Sequence, residues 1–293
     1  MIKKTWLLYA IVTTLFWGVW GAFTSLPVEN GFPDTLVYCV WALTMIPPSL
    51  YVLKRIGWKL QRDTKSIMNG LIIGLLGAGG QMLLFYAVTI GPTYLIFPII
   101  SLSPIVTILL SFLFLQERTG VLGYIGIALA ILALPLFDYS EEKGLTANSM
   151  DSLWFIIALL VLLAWGVQAF FTKLANRHTN AESIFFYMMV SGILLIPIAL
   201  YLTDFDQEIN YGPDGPYLAA GIQILNSIGA LCMVYAYRYG KALVVSPLIN
   251  AGAPLMTAVI SMALLGIVPE FYKLTAILLA TIAALLLAME PED

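Results

Sequence analysis

Long apolar runs, separated by short polar or charged segments, make up most of this chain. The longest stretch without a charged residue or histidine extends over 51 residues, from Ser66 to Gln116. A helix crosses the hydrocarbon core of a bilayer in about 20 residues. The stretch therefore predicts two membrane spans that fold back on each other near Gly91.

Dividing the whole chain at charged and turn residues predicts ten spans, five in each half. In the first half they are Thr5 to Leu26, Asp34 to Leu53, Ile67 to Ile90, Tyr94 to Gln116 and Thr119 to Phe137. In the second half they are Ser152 to Leu174, Ser183 to Thr203, Pro216 to Tyr239, Ala242 to Val268 and Phe271 to Met289. The two halves thus have the same number of spans.

The second half also repeats the motifs of the first about 150 positions later. Trp17-Gly18 returns as Trp165-Gly166, at an offset of 148. The first copy continues with Tyr86, Gly91, Pro98, Pro104, Thr107 and Ser111. The second continues with Tyr235, Gly240, Pro247, Pro254, Thr257 and Ser261. The chain is therefore read as a duplication.

An odd number of spans per copy makes the second copy enter the membrane from the opposite side. The predicted fold is thus an all-α integral membrane protein with ten transmembrane helices, arranged as two inverted five-helix repeats. We expect the first repeat at residues 1–138, an extracytoplasmic linker at 139–151 and the second repeat at 152–293.

Composition and charge agree with a membrane location. Hydrophobic residues make up 60% of the chain and charged residues 11%, against about 25% charged in soluble domains. With both termini in the cytoplasm, all but two of the 14 basic residues, Lys143 and Lys273, lie on the cytoplasmic side. Basic loops stay inside, so we expect a multi-pass protein of the cytoplasmic (inner) membrane.

The sequence lacks the residues that several kinds of catalytic and cofactor-binding site require. The single histidine, His178, excludes a His-Glu-x-x-His zinc protease, and neither an intramembrane protease motif nor a Walker-type phosphate loop occurs. Cys39 and Cys232 lie in apolar runs and are interpreted as packing residues. We therefore expect no enzyme, no cofactor, no metal site and no nucleic-acid partner.

No charged residue falls in mid-span, so the candidate site consists of neutral polar and aromatic residues near the middle of the spans. Burying such groups against lipid is costly, and they are expected to face one another or a wet cavity. Interhelical hydrogen bonding is the alternative role for each of them. The candidate substrate-binding residues are Trp17, Trp20, Gln81, Tyr86, Ser103, Thr107, Trp165, Gln168, Asn226, Tyr235, Asn250 and Thr257. Helix breaks are expected at Pro98, Pro104, Pro247 and Pro254.

Together these features resemble the EamA branch of the drug/metabolite transporter superfamily. The resemblance is carried by the two Trp-Gly pairs, the Tyr-Ala pairs at Tyr86 and Tyr235, and the proline-rich spans that end near Glu117 and Glu270. It implies a basket of helices around a central cavity, lined by the first, third and fourth spans and their repeat mates. It also implies that this cavity opens to either side in turn.

The functional expectation is a carrier for a small neutral or zwitterionic metabolite, amino-acid-like or sugar-like, working by alternating access. The absence of a mid-span carboxylate favours facilitative or loosely ion-coupled transport. Two alternatives stay open: an exporter of amphiphilic drugs or lipid-linked sugars, and a membrane scaffold that transports nothing. The expected partners are the substrate and the lipid bilayer, and a homodimer is one option for the oligomeric state.

Overall fold

A computed structural model of the protein describes residues 5–115, 120–138 and 153–289, and these residues form helices and turns but no strand. The helices of the first half are α1 (Thr5–Phe23), α2 (Leu26–Glu29), α3 (Asp34–Thr44), α4 (Ile46–Arg55), α5 (Thr64–Ile90), α6 (Thr93–Ile100), α7 (Pro104–Leu115) and α8 (Val121–Asp138). Those of the second half are α9 (Leu153–Ala175), α10 (Ala181–Leu194), α11 (Ile196–Leu202), α12 (Leu218–Tyr239), α13 (Ala242–Ser246), α14 (Gly252–Leu265) and α15 (Phe271–Ala288). The predicted linker, 139–151, lies outside the described residues.

The helices account for the ten predicted spans. Within the described ranges, 8 helical runs are long and apolar enough to cross a membrane. The apolar helices α8 and α15, 18 residues each, supply the remaining two. The prediction of an all-α membrane protein is confirmed.

Two of the helices are preceded by a residue whose side chain caps the first helical turn. Asp63 precedes α5, and its carboxylate accepts a hydrogen bond from the Ser66 backbone N–H at 3.0 Å. Asn180 precedes α10 and accepts from the Ser183 N–H at 2.7 Å. Such caps satisfy donors that the first helical turn leaves unpaired. Hydrogen bonds from the hydroxyl and the backbone N–H of Ser66 lower the pKa of the Asp63 carboxyl below its ordinary value.

The proline-rich fourth and ninth spans are each divided into two helices. In the fourth span, residues 101–103 form a turn between α6 and α7. Pro98 lies inside α6, and Pro104 is the first residue of α7. In the ninth span, a π-helical turn, Pro247–Ala251, joins α13 to α14, and Pro254 lies in the first turn of α14. The interruptions therefore lie beside Pro104 and Pro247, whereas Pro98 and Pro254 lie within helices α6 and α14.

The second and seventh spans carry a further pair of interruptions that the sequence analysis did not predict. The second span divides at Met45, just before Pro47, and the seventh divides at Leu195, just before Pro197. Pro47 and Pro197 are 150 positions apart, which is the spacing of the duplication. This pair was a repeat signal present in the sequence.

Helix packing follows a two-fold pattern that exchanges the halves. Helix α1 packs against α12 and α14, and α5 packs against α9 and α10. Exchanging each span for its repeat mate converts the α1–α12 pair into the α9–α5 pair. Helices α8 and α15, the fifth and tenth spans, pack against each other. This is the arrangement expected for inverted repeats.

The two ends of the bundle differ in charge and are named here for that difference. The basic face carries Lys54 and Arg55 at the end of α4 and Arg238 near the end of α12. The acidic face carries Asp34 at the start of α3 and Asp204 just after α11.

On the acidic face, the connection between α11 and α12 is bound to the connection between α2 and α3. The Asn210 backbone N–H donates to the Gly31 carbonyl at 3.0 Å. The Asn210 side chain donates to the Asn30 carbonyl at 2.9 Å, and the Asn30 side chain donates to the Asp214 carbonyl at 3.3 Å. These bonds tie the two repeats together outside the apolar core.

Candidate functional site

A cavity lies at the middle of the bundle, where the first, second and third spans meet the sixth, seventh and eighth. Its volume is about 40 Å³, enough for water, since one molecule needs about 10–15 Å³. None of the described residues that line it is ionisable. They are Trp17, Trp20, Trp41, Met45, Gly74, Gly77, Ala78, Gln81, Trp165, Gln168, Met188, Asn226, Ala230 and Met233.

The tryptophans of the two Trp-Gly motifs meet across this cavity. The rings of Trp17 and Trp165 stack, with centroids 6.5 Å apart and planes inclined by 30°. The Trp17 indole N–H donates to the Asn226 carbonyl at 3.0 Å, and the Trp165 indole N–H donates to the Gly77 carbonyl at 3.4 Å. Gly77 and Asn226 are themselves repeat mates on α5 and α12, so both bonds follow the duplication.

Two further tryptophans are held by side-chain amides. The Trp20 indole N–H donates to Gln223 Oε1 at 2.7 Å, and the Trp41 indole N–H donates to Asn226 Oδ1 at 2.7 Å. Both amides are buried. Because these bonds fix the rings, the cavity has a rigid aromatic wall.

Gln81 supplies a polar group that the protein itself does not satisfy. Its side chain is 2% exposed, and its Nε2 has no hydrogen-bond partner among the described residues. A buried unpaired donor is costly unless water or a ligand accepts from it. Gln168 lines the same cavity and reaches it beside Gly77. The cavity thus combines aromatic faces with amide groups and carries no formal charge.

The structure places four of the predicted binding residues in the interrupted spans, away from the central cavity. The Thr107 hydroxyl donates to the Gly166 carbonyl at 2.9 Å, and the Thr257 hydroxyl donates to the Gly18 carbonyl at 3.0 Å. The Asn250 amide donates to the Tyr237 hydroxyl at 3.3 Å. Ser103 is fully buried, and its hydroxyl has no partner among the described residues.

Contacts of the fourth and ninth spans explain why the central cavity differs from the expected one. Helices α7 and α14 use their threonines to bind the glycine carbonyls of the two Trp-Gly motifs. These two threonines therefore join the repeats. The second and seventh spans line the central cavity instead, through Trp41, Met45 and Met188. Of these three residues, only Met45 lies at an interruption, just before Pro47.

The two remaining predicted residues, Tyr86 and Tyr235, line separate wells at opposite faces. Tyr86 lies in a well on the acidic face, and Tyr235 lies in a well on the basic face. Trp17, Trp20, Gln81, Trp165, Gln168 and Asn226 are the predicted residues that the structure brings together around the central cavity.

No group of three or more His, Cys, Asp or Glu side chains that could hold a metal ion occurs in the described part of the chain. Cys39 and Cys232 are both free thiols. The described side chains that line the central cavity are aromatic, aliphatic and amide groups.

Comparison with protein families identifies the chain. A model of the EamA-like transporter family matches residues 4–137 and again residues 152–289. The chain belongs to the EamA-like transporter family. This EamA protein is therefore a membrane transporter, and it carries one copy of the family unit in each half.

Curated relatives of this EamA transporter are distant in sequence. Protein LicB of Haemophilus influenzae is 22% identical over 241 residues, which cover 78% of this chain and 79% of LicB. The Pseudopaline exporter CntI of Pseudomonas aeruginosa is 27% identical over 181 residues, which cover 60% of this chain and 59% of CntI. An uncharacterised protein of Methanocaldococcus jannaschii is 27% identical over 137 residues, which cover 47% of this chain and 98% of that protein. The last of these is about as long as one repeat.

A solved structure has the same fold. It is a crystal structure that matches with a TM-score of 0.75 at 14% identity, covering 98% of this chain and 99% of the other. At this identity the likeness concerns the fold alone.

The two threonine bonds between the repeats of this EamA transporter make a stability prediction. We expect Thr107→Val and Thr257→Val each to lower the free energy of unfolding by about 1 kcal/mol or more, because each removes a buried hydrogen bond to a glycine carbonyl. Thr107→Val should have the larger effect, because the Thr107 hydroxyl also accepts from the Ser246 hydroxyl at 3.2 Å. The double variant should lose about the sum, since the two sites are separate. Thermal unfolding in detergent measures both effects.

Thr275→Val is the matched control for these variants. Its hydroxyl donates to the Phe271 carbonyl of its own helix on the exposed surface, and we expect almost no change in melting temperature. If the two single variants, the double variant and Thr275→Val all had the same melting temperature, the hydrogen bonds between the repeats would not contribute to stability.

Proposed function

We propose that this EamA transporter is a carrier, and not an enzyme, for a small neutral or zwitterionic metabolite that is amino-acid-like or sugar-like. It works by alternating access in the cytoplasmic membrane, with the basic face and both termini in the cytoplasm. The single observation that supports this cargo class best is the unpartnered Gln81 amide in a cavity of tryptophans without any charged side chain.

The chemistry of the cavity supports this cargo class in two ways. Indole faces stack on the apolar face of a sugar or on an aliphatic side chain, and an amide donor orients a hydroxyl or carboxylate oxygen. A cargo with a net charge would have to leave water without a counter-charge in the cavity, which is costly. A small neutral molecule or an internally balanced zwitterion avoids that cost.

The size of the cavity supports a mechanism in which it opens during the cycle. Ligand sites commonly measure about 300–1,000 Å³, whereas this one has about 40 Å³. The central cavity is thus too small for cargo in the present conformation, and cargo enters when the spans around the cavity separate. One relative is named an exporter, which favours outward transport.

Reconstitution into liposomes tests the proposal. We expect purified protein to exchange at least one member of a panel of labelled amino acids and sugars, and Gln81→Leu to slow this exchange at least fivefold, because a donor to the cargo is lost. Met68→Leu, at an exposed position, serves as the control and should match the unaltered protein. If no member of the panel moved, the cargo class would be wrong.

The same liposomes test the mode of coupling. No ionisable side chain among the residues that the structure describes lines the cavity, so we propose facilitative or loosely coupled transport. Accumulation of cargo that strictly requires an imposed pH difference would contradict this part of the proposal.

A second candidate cargo, an amphiphilic drug or lipid-linked sugar, has one observation in its favour. An apolar groove of about 420 Å³ lies beside α5 between the third, sixth and seventh spans, and Gly80 forms part of its wall. An acyl chain could lie in such a groove while a polar head reached the cavity. Exchange of a lipid-linked sugar in place of the soluble panel would favour this alternative.

If the protein were only a membrane scaffold, its buried amides Asn226 and Asn250 would be expected to bond to neighbouring helices. Both do so, through Trp41 and Tyr237. Family membership nevertheless makes the protein a transporter. These bonds therefore serve to hold the carrier together.

A further inference from the structure

Two wells of similar size lie on opposite faces of the bundle. The well on the basic face has a volume of about 350 Å³ and includes Tyr9, Arg55, Glu182, Cys232, Tyr235 and Tyr239. The well on the acidic face has a volume of about 370 Å³ and is lined by Asp34, Thr35, Tyr38, Met82, Tyr86 and Leu202. Each well holds one carboxylate, and the central cavity lies between them.

The duplication builds both wells from the same positions. Asp34 and Glu182 both lie in the first helical turn of the second span of their repeat, 148 residues apart. Tyr86 and Tyr235 both belong to the Tyr-Ala motif of the third span of their repeat, 149 residues apart. Because the repeats are inverted, one tyrosine–carboxylate set lies at each face.

The two sets differ in their contacts. On the basic face, the Tyr235 hydroxyl donates to Glu182 Oε1 at 2.7 Å. The Tyr235 ring also stacks on Tyr9, with centroids 5.0 Å apart, and on Tyr239 at 6.4 Å. These contacts join the first, seventh and eighth spans across the mouth of the well.

On the acidic face the corresponding bond is not made. Tyr86 is 44% exposed, and no hydrogen bond links it to Asp34 among the residues that the structure describes. The hydroxyl bond between Thr35 and Thr203, at 2.7 Å, holds the second and seventh spans together there instead. The two mirror-related sets therefore occupy different states in one structure.

We infer that Tyr235–Glu182 and Tyr86–Asp34 are the two gates of the carrier, the first closed here and the second formed when the carrier turns to the opposite state. This inference rests on the proposed alternating access. A hydrogen bond to a carboxylate is among the stronger ones in proteins. Losing one on one face therefore shifts the balance between the two states.

The native thiol of Cys232 lines the basic-face well and reports on its opening. The chain has 2 cysteines, so a Cys39→Ser background leaves Cys232 alone. In membrane vesicles that expose the basic face, the rate of alkylation by a membrane-impermeant maleimide measures access to this well. The measurement needs no cargo.

Removing either tyrosine hydroxyl should change this rate in opposite directions. We expect Tyr235→Phe to raise the alkylation rate about tenfold, because the gate on the basic face loses its carboxylate bond. Tyr86→Phe should lower the rate, because it weakens the state in which the basic face is open. Tyr201→Phe, 87% exposed, is the matched control and should leave the rate unchanged.

Rates that move in the same direction, or that do not move, would overturn the gate assignment. If Tyr235→Phe does not fold, Glu182→Gln provides the second test and should also raise the rate, since it replaces a charged acceptor by a neutral one. If the protein transported members of the cargo panel but the variants had unchanged alkylation rates, the gate assignment would be rejected and the cargo class would stand. Opposite shifts without transport of any panel member would support the gates and reject the cargo class.

Discussion

Asn226→Leu is expected to lower transport about tenfold or more, because it removes the acceptor that holds the Trp41 ring. The Trp41 indole N–H would be left buried without a partner, at a cost of about 1–3 kcal/mol. Because 1.4 kcal/mol corresponds to a factor of ten in an equilibrium constant, the population of the conformation that holds the ring in place should fall by about that factor. Trp17 bonds to the backbone carbonyl of residue 226, which leucine retains. The defect should therefore be confined to one wall of the cavity.

Exchange of the panel cargo in liposomes and the melting temperature in detergent measure this effect. Gln207→Leu is the matched control, because it makes the same chemical change at an exposed amide in a loop. Trp41→Phe removes the orphaned donor, so the double variant should be less impaired than the sum of the two single variants. Full additivity would show that the Asn226–Trp41 bond is not the cause.

Gly80→Ala should lower the melting temperature by several degrees, whereas its neighbour Gly79→Ala should leave it unchanged or raise it. A Cβ atom at Gly80 would lie 2.5 Å from Trp165 Nε1, but one at Gly79 would meet nothing within 4 Å. Overpacking a tight contact costs about 1–3 kcal/mol. Alanine at an open helical position gains up to about 1 kcal/mol over glycine.

Because the second half repeats the first, we expect the same difference between a tightly packed glycine and an open glycine in α12. A Cβ atom at Gly229 would collide with the Trp17 ring, and one at Gly221 would meet nothing within 4 Å. We therefore expect Gly229→Ala to destabilise the protein and Gly221→Ala not to do so, with thermal unfolding as the measurement. Similar melting temperatures within each pair would mean that the tryptophans are not held as closely as the structure has them.

The candidate site was only partly predictable from the sequence, for a reason that Thr107 illustrates. Its spacing along the fourth span places it on a polar stripe near mid-depth, and the same holds for Thr257 in the ninth. Whether such a stripe faces a cavity or a neighbouring helix depends on how the helix is rotated about its axis. Here both hydroxyls meet glycine carbonyls of the opposite repeat, and so they bind the repeats to each other.

Trp41 illustrates the opposite case. An isolated tryptophan in an apolar span carries no sign of its surroundings, and the sequence analysis did not select it. Its role arises because α3 and α12 pack together and bring the indole within 2.7 Å of Asn226 Oδ1. A residue 185 positions away in sequence defines this part of the site.

By itself, the sequence determined the membrane class, the ten spans and the inverted duplication. Those properties depend on the length of apolar runs and on repeated motifs, which are local in the chain. Only the tertiary structure decided which neutral polar groups surround the cavity and which tyrosine–carboxylate set is bonded. Those properties depend on helix rotation and on contacts between residues far apart in sequence, which local pattern does not encode.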